Sequence, residues 1–257
     1  MTENQPAYKW IYHTESRVGR ASPAVAPDGT TYVGGNDCRL HAISSDGTLL
    51  WKRSVEGMLG NSTVSVAADG TIYVASETGR LYSCDSGGRV LWVAPNDWLA
   101  VTSAAIACDG SAILGVRKVR GGDGTLDRLI AVNRSAQVAW EIAVHGGVSD
   151  APAICSSGAA YIGTGYGDIY RITCDGEVKH HCRPGGRISS ALAIRADGVV
   201  LAATQDGCLY SISPEMEVPV EIPDRADHQP LVSSHSGRRN DLLWILGPLP
   251  LRTHGRR

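Results

Sequence analysis

The stretch Asp28-Gly29-Thr30-Thr31-Tyr32-Val33-Gly34 decides the fold, because it does not occur only once. It returns as Asp69-Gly70-Thr71-Ile72-Tyr73-Val74-Ala75 and as Asp109-Gly110-Ser111-Ala112-Ile113-Leu114-Gly115. Two further copies are Ser157-Gly158-Ala159-Ala160-Tyr161-Ile162-Gly163 and Asp197-Gly198-Val199-Val200-Leu201-Ala202-Ala203. The copies stand 41, 40, 48 and 40 residues apart. A second marker keeps the same step: Trp10, Trp51, Trp92 and Trp140 are separated by 41, 41 and 48 residues. Carried on by 40, that series reaches His180 and then Val220, so the tryptophan is lost in the last two copies. Both series share the long interval, which places one insertion between Gly115 and Leu129. A fixed period of this length is the signature of a repeat architecture.

Each period reads as four short strands. In the first copy these are Ser22–Ala26 (A), Thr30–Gly34 (B), Arg39–Ile43 (C) and Thr48–Lys52 (D). Asp28-Gly29 and Asp46-Gly47 fall at turns, where glycine supplies the positive φ that tight hairpins need. Four strands of about five residues in a ~40-residue period make one blade of a β-propeller. No segment sustains a 3.6-residue period, so almost no helix is expected. The composition agrees: 30 glycines in 257 residues exceed the usual ~7%, and the recurrent ones sit at strand turns and strand ends. Phenylalanine is absent, and no physical reason for that is evident.

The unit S-P-A-x-x-x-D-G-T-x-Y-V-G followed by R-L-x-A-I-x-x-D-G-T-L-x-W resembles the repeat of PQQ-like, quinoprotein-type β-propellers over residues 8–222. The resemblance implies a fold and leaves the role open, since that superfamily includes quinone-dependent alcohol dehydrogenases, an outer-membrane assembly lipoprotein and many proteins of unknown role. Two departures argue against a bound quinone. The stretch from Ala42 to Trp51 is one residue shorter than the tryptophan-docking motif of the dehydrogenases, and no adjacent Cys-Cys pair is present. No cofactor is expected.

Five copies are complete, and the chain begins with an orphan D-like stretch, Tyr8–Tyr12. One reading closes a six-bladed ring with that N-terminal strand. It takes Leu243–Gly247 as strand B and Leu249–Thr253 as a proline-interrupted strand C of the last blade. The alternative is five blades followed by a degenerate tail over 223–257. Either way residues 1–257 are read as a single propeller domain, expected to be a monomer.

Alternating strand direction sorts the loops. The A–B and C–D turns share one face and repeat Asp-Gly; the B–C and D–A connections share the other and vary from blade to blade. Binding residues concentrate on variable loops held by a rigid scaffold. The candidate ligand-binding residues are therefore Arg17, Arg20, Asn61, Asp97, Trp98, His145 and Arg187, all in D–A loops. Arginine can grip a carboxylate or phosphate bidentately, and Trp98 could stack on a ring or anchor a partner. Met58-Leu59 is a second apolar candidate on this face. Arg117-Lys118-Val119-Arg120-Gly121-Gly122-Asp123-Gly124 reads as an extension of the B–C hairpin of its blade: a docking finger, a lid for an acidic ligand or a surface excursion.

Other chemistry is disfavoured. His180 and His181 are neighbours on a strand and point to opposite faces, so no metal site is expected. Gly163-Thr164-Gly165-Tyr166-Gly167 precedes no helix and is no dinucleotide loop. No G-x-S-x-G elbow occurs. Twenty-four basic against 26 acidic residues argue against a nucleic-acid partner. The most apolar stretch, Leu242–Leu251, is about half the ~20 residues of a membrane span. Seven scattered cysteines and a polar N-terminus suit a cytoplasmic protein. The expectation is a non-catalytic propeller binding a protein partner or small ligand on its B–C and D–A face. The alternative is a lyase, hydrolase or cyclase at the mouth of the channel.

Overall fold

The computed structural model describes residues 8–60, 62–94, 98–118, 127–216 and 220–222. Chain contacts separate Met1–Pro223, which holds every described strand, from Asp224–Arg257, which lies outside the described residues together with the expected strands at 243–247 and 249–253. Among the described residues there is no helix, and five antiparallel sheets follow one another along the chain. Each sheet runs A-B-C-D in sequence order.

Blade 1 is Ala24–Val25, Thr31–Gly34, Arg39–Ile43 and Leu49–Ser54. Blade 2 is Ser65–Val66, Ile72–Ala75, Leu81–Cys84 and Val90–Val93. Blade 3 is Ala105–Ile106, Ala112–Lys118, Asp127–Val132 and Val138–Val144. Blade 4 is Ala153–Ile154, Ala160–Gly163, Ile169–Ile172 and Val178–Cys182. Blade 5 is Ala193–Ile194, Val200–Ala203, Leu209–Ile212 and Val220–Ile222. The A strands are only two residues long, shorter than the five-residue pattern suggests. The insertion does lengthen the B–C hairpin of blade 3, and residues 119–126 at its tip lie outside the described residues.

The Asp-Gly repeat has a local cause. Asp28, Asp69 and Asp109 each accept the backbone N–H two residues on, from Thr30, Thr71 and Ser111, at 2.8–3.0 Å. The intervening glycines sit at φ near +85°. The C–D turns add a second constraint. In blades 1 to 4 the C–D register shifts by one residue at the same place, beside the turn. The turn ends in a left-handed residue, the geometry of a hairpin closed by a bulge. That residue is Gly47, Gly88 and Gly176 in blades 1, 2 and 4, but Ala136 in blade 3 and Met216 in blade 5, both at φ near +60°.

The periodic tryptophans lock successive blades. The indole N–H of Trp51 donates to the Ser86 carbonyl at 2.8 Å, Trp92 to Arg134 at 2.9 Å and Trp140 to Cys174 at 2.9 Å. In each case the acceptor lies in the C–D turn of the next blade. Trp10 does the same to Ser45 of blade 1 at 3.2 Å. Residues 8–12 are not paired into a sheet among the described residues, yet Trp10 holds the place of a preceding blade's tryptophan. The core lies between blades, where side chains of the B and C strands such as Tyr73, Leu81, Leu114 and Ile130 are buried together. Among the fully buried residues, Tyr32, Tyr73 and Tyr161 are repeats of one B-strand position.

Candidate functional site

The face of the B–C and D–A loops is knitted by a recurring hydrogen bond. Asn36 N–H donates to the Arg17 carbonyl, Glu77 to Met58, Gly165 to Gly146 and Gln205 to Arg187, at 2.8–3.0 Å. In blade 3 the equivalent backbone is a short strand, Trp98–Ala100, whose Leu99 pairs with Arg117. Arg17, Met58, Leu99, Gly146 and Arg187 are therefore one structural position, repeated at the start of each blade. The tertiary structure turns two of the candidate arginines into members of a ring of equivalents.

Arg17, Arg20, His145 and Arg187 are all exposed, as expected of loop residues. They are spread around the face rather than gathered: Arg17 and Arg20 precede blade 1, His145 precedes blade 4 and Arg187 precedes blade 5. Asn61 and Asp97 lie outside the described residues.

Trp98 requires a correction. It is 4% exposed, packed in the core between blades 2 and 3 with Ala75, Leu81 and Val116, so it cannot stack on an external ring. The strand pairing of Trp98–Ala100 with Val116–Lys118 turns the side chain inward. Leu59 is likewise buried, leaving Met58 as the exposed member of that pair. Among the described residues, the large apolar side chains this face presents include Met58, Leu99, Val101 and Tyr166.

Among the described residues, two depressions on this face bear on a site. The larger, about 270 Å³, lies between the loops leading into blades 4 and 5 and is lined by Gly146–Ser149, Gly165, Arg187–Ser189 and Gln205. Its floor is held by Gly165 N–H to Gly146 carbonyl, Ser149 N–H to Gly163 carbonyl (3.0 Å) and Ser149 Oγ–H to Ile188 carbonyl (2.5 Å). The smaller, about 100 Å³, lies beside Met58 and Leu99 and is lined by Ser62, Ser76, Glu77, Val101 and Thr102 among others.

Two polar clusters join residues from strands and from the loops beside them. Tyr12 Oη lies 2.9 Å from His41 Nδ1, and His41 Nε2 lies 2.9 Å from Asp37 Oδ2. A carboxylate only accepts, so Nε2 carries the proton and the tyrosine hydroxyl donates to Nδ1. His41 is completely buried, which makes this chain a tie between residues 8–12 and blade 1. His41 occupies the C-strand position filled by Tyr82, Tyr170 and Tyr210 elsewhere, a substitution the repeat alignment does reveal.

In blade 4 the buried Asp168 carboxylate takes Nε and Nη2 of Arg183 at 2.8 and 2.6 Å and Nε2 of His181 at 2.8 Å. Burial pushes the Asp168 carboxyl up, but the bonds from Arg183 and His181 outweigh it and hold it below the usual range. His181 stacks on Tyr170 with ring centroids 4.6 Å apart. His180 pairs with Arg171 and His181 with Tyr170, on opposite faces as the alternation demands. The arrangement clamps a B–C turn to its outer strand.

Residues 9–126, just under half of the chain, match the family model described as outer membrane protein assembly factor BamB. No curated protein matches the sequence. Among solved structures, BamB from Moraxella catarrhalis superposes with a TM-score of 0.64 at 14% identity, covering 82% of this chain and 64% of that one. Quinohemoprotein alcohol dehydrogenase from Comamonas testosteroni gives 0.67 at 18%, covering 83% and 45%. Quinohemoprotein alcohol dehydrogenase ADHIIG from Pseudomonas putida HK5 gives 0.63 at 18%, covering 78% and 41%. The chain thus spans less than two thirds of each of these proteins. The matches agree on the PQQ-like β-propeller repeat that the sequence resembles.

Proposed function

We infer that this chain is a non-catalytic binding propeller whose B–C and D–A face receives a protein partner. The observation that carries the reading is the ring of equivalent positions. The same backbone site presents Arg17, Met58, Leu99 and Arg187 in different blades, so a rigid scaffold displays apolar side chains between cationic ones. Met58 and Leu99 are each 39% exposed and stand next to one another in the ring, with Val101 close behind. Exposed apolar groups with charged residues at the margin are what an interface core and rim require. The family model matched by residues 9–126 takes its description from an assembly factor, which favours a binding role over chemistry. The partner expected is a protein segment with apolar side chains flanked by acidic ones.

The test is a paired purification. A stoichiometric partner that co-purifies with the wild-type chain should be lost from the Met58→Glu, Leu99→Glu double variant while its melting temperature stays unchanged. A partner retained by the double variant would reject this surface. Turnover of a small metabolite by the isolated chain would reject the non-catalytic reading.

A further inference from the structure

We propose that the cleft between the loops leading into blades 4 and 5 is a carboxylate-binding subsite centred on Arg187. The inference rests on the binding-face reading and gives it a chemical specificity. Four observations converge on one spot.

First, the Arg187 guanidinium lies across the cleft floor: a Cβ added at Gly165 would meet its Nε and Nη2 at 3.6 Å. Gly165 also has a backbone limit, since the same Cβ would stand 2.8 Å from the Gly146 carbonyl. Second, Arg187 has no ion pair or side-chain hydrogen bond among the described residues, whereas Arg183, four residues earlier, grips Asp168 with two nitrogens. The nearby carboxylate of Asp206 is engaged elsewhere, accepting Gly186 N–H at 3.1 Å and the Thr204 hydroxyl. Third, two residues that carry neutral donors, Ser189 and Gln205, line the same space. Fourth, Tyr166, 67% exposed, lays its ring against Gly146, where a Cβ would come within 2.5 Å of it. The guanidinium thus lies over Gly165 in a cleft lined largely by glycine and serine, and the Tyr166 ring packs against Gly146, one of the lining residues.

A guanidinium with neutral donors beside it matches a planar carboxylate, which it can bind through two parallel N–H···O bonds. A volume of about 270 Å³ admits one acidic side chain or a small free acid. The ligand is therefore either an Asp or Glu side chain of the partner or a free small carboxylate.

The test is a titration of the isotope-labelled full chain, following the backbone amides of Gly146, Gly147, Gly165 and Ser189 by NMR. Three probes are used: succinate, a capped tetrapeptide Gly-Glu-Glu-Gly, and its Gln-Gln isostere. Saturable shifts at these amides with succinate or the acidic peptide, absent with the amide isostere, are expected. The better of the two acidic probes identifies the source as a free acid or a protein side chain. Arg187→Gln should weaken binding about tenfold or more. Arg195→Gln, in the A–B turn on the opposite face and paired there with Asp197, should leave it unchanged. Absence of saturable shifts with both acids overturns the subsite, as does equal binding of the isostere or indifference to Arg187→Gln. A cleft that fails this test while the Met58, Leu99 double variant still loses its partner rejects the subsite and leaves the binding face standing.

Discussion

Replacing Gly176 by alanine asks whether the tryptophan lock depends on glycine for both conformation and space. Gly176 closes the C–D turn of blade 4 at φ +87°, and an added Cβ would stand 2.6 Å from Trp140 Cγ and 2.8 Å from its Cβ. The left-handed conformation costs an alanine roughly 1–2 kcal/mol. Crowding the indole, which must keep its 2.9 Å bond to the Cys174 carbonyl, costs roughly 1–3 kcal/mol more. The stiffer unfolded chain returns roughly 0.4–1 kcal/mol. The net loss is about 3 kcal/mol, or a fall in melting temperature of about 6–12 °C for a unit of this size. Thermal unfolding followed by far-ultraviolet circular dichroism reads it without relying on tryptophan emission. The control is Ala136→Gly, at the same turn position in blade 3, where Ala136 already sits at φ 64° and Trp92 still reaches Arg134 at 2.9 Å. That change releases the left-handed cost and should be neutral or stabilising by up to about 1 kcal/mol. A loss below about 2 °C for Gly176→Ala would refute the reasoning, as would equal damage from Ala136→Gly.

Three further outcomes follow from the same structure. His41→Ala removes the donor to Asp37 Oδ2, leaving the carboxylate only the Arg39 N–H, and opens a cavity, so a loss of about 2–4 kcal/mol in urea unfolding is expected. Tyr12→Phe should cost only about 1 kcal/mol, because a single neutral hydrogen bond is removed. Asp168→Asn should cost about 1–2 kcal/mol at neutral pH, reduced because Arg183 and His181 are half exposed. The folded carboxyl titrates below its unfolded value of about 3.9. Its contribution is thus full above that pH and disappears as pH falls through the lower folded value, so the wild type and Asp168→Asn should converge in stability at the acid end of the titration. A gap that persists there would show that the Asp168 charge is not the cause. Finally, burial pushes the Cys84 thiol up to about 11, and burial together with the nearby Asp168 charge does the same for Cys182. In the native protein at pH 8 a thiol reagent should therefore modify exposed Cys108 and Cys174 first, with Cys84 reacting only on unfolding.

The blade was legible because its requirements are local. An Asp that caps its own turn, a glycine at positive φ and a tryptophan one strand later each leave a mark at a fixed position, and the mark recurs every 40 or so residues. Even the exceptions were readable by alignment, as with His41 in a tyrosine position or Ala136 in a glycine one. The two-face division also followed from strand alternation alone.

The site was less legible, because its members meet only through tertiary contacts. Trp98 looked like a loop residue free to bind, and became a core residue once the backbone of 98–100 paired with the lengthened B strand of blade 3. Asp168, His181 and Arg183 are 13 and 15 residues apart along the chain, yet converge because the C and D strands of blade 4 run antiparallel. Arg17 and Arg187 are equivalent positions only in the light of the hydrogen bonds from Asn36 and Gln205. The sequence by itself thus determined the repeat, the blade and the face that carries the variable loops, since each depends on turn chemistry within one period. Only the tertiary structure decided which loop residues are buried, which carboxylates are already paired and which arginine remains facing an open cleft, since those depend on how one period packs against the next.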